Sequence, residues 1–188
     1  MSSTSSDNPS VAERPAEPSQ AQESETVSPT IIETMVAIRP LRNIMGDVAG
    51  LLGESVMSLL LMFYPPPLCK KANIVISELV TNVLENVFDP DSGFVLKLSL
   101  LSDSLVISVQ NKVPKEIAEK VLARVAKIAA VADPRKLLAE TIRERRQSRL
   151  KGGLGLLRLV AENKFSITSD YQDGLLTVRA DYRLESMP

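Results

Sequence analysis

The residues best placed to do chemistry are Glu78, Asn82 and Asn86, which recur every fourth position in the stretch 74–87, I-V-I-S-E-L-V-T-N-V-L-E-N-V. On a helix, Ser77, Glu78, Thr81, Asn82, Glu85 and Asn86 fall at i, i+3, i+4 and i+7 from one another and share one narrow stripe. Ile76, Leu79, Val80, Val83, Leu84 and Val87 cover most of the remaining circumference. A helix this apolar belongs largely inside the protein. Burying a carboxylate or an amide without a partner costs roughly 2 kcal/mol or more each. Water, a metal ion or a ligand must meet the stripe, or neighbouring backbone satisfies it as a polar seam.

A second candidate is Lys151-Gly152-Gly153-Leu154-Gly155-Leu156, which follows a basic run of Arg143, Arg145, Arg146 and Arg149. Glycines at a helix start let backbone N–H groups approach an anion, and the helix dipole favours negative charge there. The segment lacks the spacing of a Walker loop and does not follow a strand as a dinucleotide fingerprint does. A charge run is ordinarily a solvated face, so the run gains meaning only from the glycines after it.

Composition narrows the chemistry further. At 188 residues the chain supports one domain with a real core, and 44 % hydrophobic with 24 % charged residues describes an ordinary globular protein. The chain has no histidine, which excludes Ser-His-Asp catalysis, His-ligated metals and a phospho-histidine relay within it. Its single cysteine, Cys69, cannot form an internal disulfide or a Cys-rich zinc site, so a cytoplasmic location is expected. Net charge is −1, with −4 carried by residues 1–30. No basic-aromatic surface suggests nucleic acid as a partner.

The elements that must position these groups follow from pattern. Residues 1–30 are rich in Ser, Pro, Glu and Gln and read as a disordered tail rather than a signal peptide; residues 31–188 form the domain. Thr30–Ile38 is β-branched enough for a strand. Leu41 to about Phe63 reads as one helix, with Leu41, Ile44, Met45, Val48, Leu51 and Leu52 on one face and Gly46, Gly50 and Gly53 weakening it or permitting close helix packing. Its end, Met57 and Leu59–Phe63, is more apolar than one face needs and is read as core or as a homodimer surface. The segment Val48–Tyr64 is short for a membrane span, carries Glu54 centrally and runs into Pro65-Pro66-Pro67, so no membrane partner is expected. The prolines end that helix, and the Glu78–Asn86 helix starts soon after.

Phe94–Leu100 and Leu105–Val109 alternate as a hairpin. Helices are expected at Lys115–Val131, Pro134–Ser148 and Leu156–Asn163, then a second hairpin of Phe165–Thr168 and Leu175–Leu184 turning at Asp173-Gly174. The expected class is α+β: a two-layer α/β sandwich with helices on one face of a mixed, mostly antiparallel sheet.

On these residues the chain resembles a known superfamily. Glu78-Leu79-x-x-Asn82-x-x-x-Asn86 resembles the N box of the gyrase–Hsp90–histidine kinase–MutL ATPases, and Lys151–Leu156 looks like their second glycine box. The resemblance covers about Ile31 to Leu184 and is nearest to anti-sigma-factor serine kinases and SiaB-type protein kinases. It implies the Bergerat ATP-binding fold, with the two helices between Asn111 and Lys151 as the ATP lid. It also implies roles. Asn82 would hold Mg²⁺, Glu78 would act as general base, and Asn86 would hydrogen-bond near the phosphates. Gly152, Gly153, Leu154 and Gly155 would wrap the triphosphate, with Lys151 adding charge.

Where the superfamily has an adenine-binding Asp followed by glycines, this chain has Asn111, then Lys112, Val113 and Pro114. An amide oxygen accepts the same bond. The implied activity is Mg-ATP-dependent phosphorylation of Ser or Thr on a small partner, a STAS-like or SiaC-like antagonist. The alternative is a nucleotide-independent interaction switch that sequesters a sigma factor or another regulator.

Overall fold

The computed structural model describes residues 30–148 and 154–184, without the side chains of 30, 31 and 146–148. The expected tail therefore lies outside the described residues except at Thr30, as do Lys151, Gly152 and Gly153.

Five strands carry the fold: β1 Thr30–Ile38, β2 Phe94–Leu101, β3 Ser104–Lys112, β4 Ser166–Gln172 and β5 Leu175–Arg183. They form one sheet in the order β1-β2-β3-β5-β4, and each neighbouring pair is antiparallel. The sheet expected to be mixed but mostly antiparallel is thus antiparallel at every pairing among the described residues. Alternation decides which face is buried. Phe94, Leu96, Leu98 and Leu100 pair in register with Asn111, Val109, Ile107 and Leu105 and point inward. On the opposite face a row of Met35, Lys97, Ser108, Arg179 and Thr168 runs across all the strands, and Met35 is 65 % exposed.

The helices cover the inward face, completing the expected two-layer sandwich. They are α1 Val48–Leu60, α2 Pro66–Glu85, α3 Lys115–Ala129, α4 Pro134–Ser148 and α5 Gly155–Ala161. α1 packs on α2, α2 on β3, α3 along β4, and α4 on α5. None of the described helices is long and apolar enough to cross a membrane.

Two expectations about the helices are corrected. Leu41–Phe63 is not one helix: a 3-10 turn at Leu41–Asn43 is separated from α1 by Gly46 at φ +90°. Glycine adopts that backbone freely and ends the turn. Asp47 then restarts the helix by accepting the Gly50 N–H at 2.8 Å. Met45 and Leu51, placed by periodicity on an apolar face, are 95 % and 64 % exposed. The second correction is that α2 begins inside the triple proline. Pro66 and Pro67 occupy its first turn, where a missing N–H costs nothing. The added turns bury Leu68, Cys69 and Ala72.

Gly53 fulfils the close-packing reading, since a Cβ there would meet the Asn73 side chain, its carbonyl oxygen and the Ser77 hydroxyl. At the end of α1 the apolar run divides. Leu60 is fully buried, whereas Leu61, Met62 and Phe63 are 45 %, 73 % and 61 % exposed.

Candidate functional site

The buried side of α2, with Val75, Ile76, Leu79, Val80 and Val83, holds the helix in the core and fixes where its polar stripe faces. That stripe divides between neighbours. Ser77 turns to α1, where its hydroxyl lies 3.4 Å from the Ala49 carbonyl oxygen and 3.1 Å from Asn73 Oδ1. Glu78 and Asn82 turn the other way, toward α5. Glu85 is exposed.

Asn82 donates through Nδ2 to the Glu78 carbonyl oxygen at 2.7 Å and to Glu78 Oε1 at 2.8 Å. Its Oδ1 and Glu78 Oε2 accept no hydrogen bond from the described residues. Asn86 is not helical. It caps the C-terminus of α2 at φ −120°, and its Nδ2 donates to the Asn82 carbonyl oxygen at 2.8 Å. The polar-seam alternative is therefore half realised: the helix satisfies the amide N–H groups, while the oxygens remain uncommitted.

Glu78 is wedged against the start of α5. A Cβ on Gly155 would run into the Glu78 carboxylate, so no side chain is compatible with this arrangement. Leu154, the residue before the helix, accepts the Arg158 N–H at 2.9 Å through its carbonyl oxygen.

Beside this contact lies a cavity of about 310 Å³, at the small end of the range for ligand pockets. Asn82 and Asn86 line it from α2, Asn111 from β3 and Leu156 from α5. Val109, Leu176 and Val178 make an apolar floor on the sheet. Ile117, Lys120, Val121 and Arg124 come from α3 and roof it. Those four residues are spaced i, i+3, i+4 and i+7, the signature of one helix face. Sequence reasoning placed this helix over the site but did not single out Lys120 and Arg124. Among the described residues they are the charged ones of the lining, and none of these lining residues is a carboxylate. Glu78 stands behind Asn82 and does not line the cavity itself.

Arg143 and Arg145 of α4 do not line the cavity either. No group of three or more acidic, cysteine or histidine residues able to hold a metal occurs among the described residues. Mg²⁺ in general needs only one or two protein oxygens and fills its other positions with phosphate and water. Asn82 Oδ1 is such an oxygen.

The same fold occurs in a solved structure. A chain in the crystal structure of the SiaB–SiaC complex from Pseudomonas aeruginosa superposes with a TM-score of 0.56 at 14 % identity, over 82 % of this chain and 91 % of that one. At that identity the likeness is one of fold. No protein-family model matches the chain, and no curated protein matches it.

Proposed function

We propose that this chain is a cytoplasmic regulatory kinase that binds Mg-ATP and phosphorylates a Ser or Thr on a small partner protein. The observation that carries the reading is the meeting of Asn82, Asn86 and Asn111 on one cavity roofed by Lys120 and Arg124. An apolar floor suits a flat base, cations and amides suit phosphates, and the lining offers nothing that repels an anion. The glycines expected to wrap the triphosphate, Gly152 and Gly153, lie outside the described residues and are no part of this support.

Mg-ATP, when bound, would supply the phosphoryl group and neutralise its charge. Asn82 presents Oδ1 for the metal because its NH₂ is held by Glu78. Glu78 Oε2, which accepts no hydrogen bond from the described residues, would take the proton of the acceptor hydroxyl, with the phosphoryl group passing to the hydroxyl oxygen and ADP leaving. A SiaC-type protein is the partner we favour, because the fold is shared with a chain from a complex containing SiaC; a STAS-like antagonist is the other candidate. Leu61, Met62 and Phe63 are the surface assigned to contact with a second copy.

One observation favours a second reading, a nucleotide-independent switch that sequesters a sigma factor or another regulator. The N–H groups of Asn82 and Asn86 are satisfied without any ligand. Titration with a fluorescent ATP analogue, with and without Mg²⁺, separates the two. The kinase reading expects saturable, Mg-dependent binding that Asn82→Ala abolishes. It also expects Glu78→Ala to keep binding while turnover falls about 100-fold or more. No saturation at millimolar nucleotide would remove the kinase reading and favour the switch instead.

A further inference from the structure

Asn111 breaks the pattern of its own strand. β3 turns Leu105, Ile107, Val109 and Asn111 to the inward face, and the first three are buried apolar side chains. The register seats Asn111 between Phe94 on β2 and Leu176 on β5, both buried. Its side-chain amide makes no hydrogen bond to any described residue, and it opens into the cavity among Val109, Val113, Leu176 and Val178. The residue is half-buried and its amide keeps access to the cavity, so water or a ligand there meets it. Being the polar group on the apolar wall, it is placed to read the edge of a flat ring lying on that wall.

We propose that Asn111 makes the cavity ambivalent between purines, so that guanine nucleotides bind about as well as adenine nucleotides. The inference rests on the nucleotide-binding reading above and deepens it. Adenine presents an N6 amino donor beside the N1 acceptor, whereas guanine presents an O6 acceptor beside an N1–H donor. A carboxamide carries one acceptor and one donor group side by side. With Oδ1 toward position 6 it pairs with adenine; turned over, with Nδ2 toward position 6, it pairs with guanine. No hydrogen bond from the described residues fixes either orientation. A carboxylate at the same place has acceptors alone and would oppose the O6 of a purine; guanine can slide to offer it N1–H and the 2-amino group instead, but hypoxanthine, which lacks that amino group, cannot.

The test is calorimetric titration of the full chain with Mg²⁺ and ATP, GTP or ITP, which shares the O6 and N1–H of guanine, followed by the same series on Asn111→Asp. The parent is expected to bind all three within about tenfold, the worth of one imperfect hydrogen bond. Asn111→Asp is expected to keep ATP and to weaken ITP, which has no 2-amino group for a carboxylate to accept from, at least tenfold relative to it. If the parent binds ATP more than about 100-fold tighter than GTP and ITP, as a site with fixed hydrogen-bonding demands does, the inference is overturned while the nucleotide reading stands. An unchanged ratio in a folded Asn111→Asp protein also overturns it. Should none of the three bind, the nucleotide reading itself falls.

Discussion

The Glu78 carboxylate occupies the space that a side chain on Gly155 would need. Two motif fragments separated by 77 positions in sequence thus share one contact, and the glycine is required by an acid rather than by its own backbone angles. The three atoms nearest to such a Cβ all belong to the far end of a flexible side chain.

Gly155→Ala is therefore expected to displace the carboxylate and leave the backbone in place. Alanine also favours the helix by about 1 kcal/mol over glycine, which offsets the crowding. Thermal stability and nucleotide affinity should change little, while phosphoryl transfer falls about tenfold or more. ADP release measured with a SiaC-type partner checks it; an unaltered rate would detach Glu78 from the chemistry.

Lys120 and Arg124 sit on an exposed roof, so their attraction for an anion is screened by salt. Replacing both with Gln should weaken nucleotide binding roughly tenfold at low ionic strength and much less at 0.5 M salt. Titrations at the two salt levels read this directly, with circular dichroism confirming an intact fold.

Asp47 caps α1 away from the cavity. Asp47→Ala should cost about 1 kcal/mol and lower Tm by about 2–4 °C in a chain of this size, with nucleotide binding unaffected. A melt and a titration on the same sample separate the two effects.

Met62 and Phe63 are 73 % and 61 % exposed beside Leu61. If this surface seats a second copy, changing both to Ser should convert dimer to monomer without lowering Tm by more than about 1–2 °C, because exposed positions contribute little to the core. Light scattering across a concentration series gives the answer.

The sheet was legible because its signal is local. Phe94, Leu96, Leu98 and Leu100 announce both a strand and its buried face, and Asp173-Gly174 announces a turn that both residues enter with positive φ. The break in Leu41–Phe63 was not legible, since apolar spacing carries no record of one glycine taking φ +90°. The start of α2 was hidden for a related reason. Prolines that stop one helix are equally suited to opening the next.

At the site, the four-residue spacing of Glu78 and Asn82 was enough to put them on one face. Asn86 shared the spacing but left the helix. Lys120 and Arg124 stayed hidden because a basic residue on an amphipathic helix looks solvated until the path of the chain shows what lies beneath it.

Adjacent residues Ser77 and Glu78 face different helices, the first within 3.4 Å of the α1 backbone at Ala49 while also reaching Asn73 on its own helix, and the second lodged against α5. Rotating α2 about its axis would unseat both together. The helix that carries the acid is consequently hard to roll without disturbing both of its neighbours, although the carboxylate at the end of its side chain can still swing.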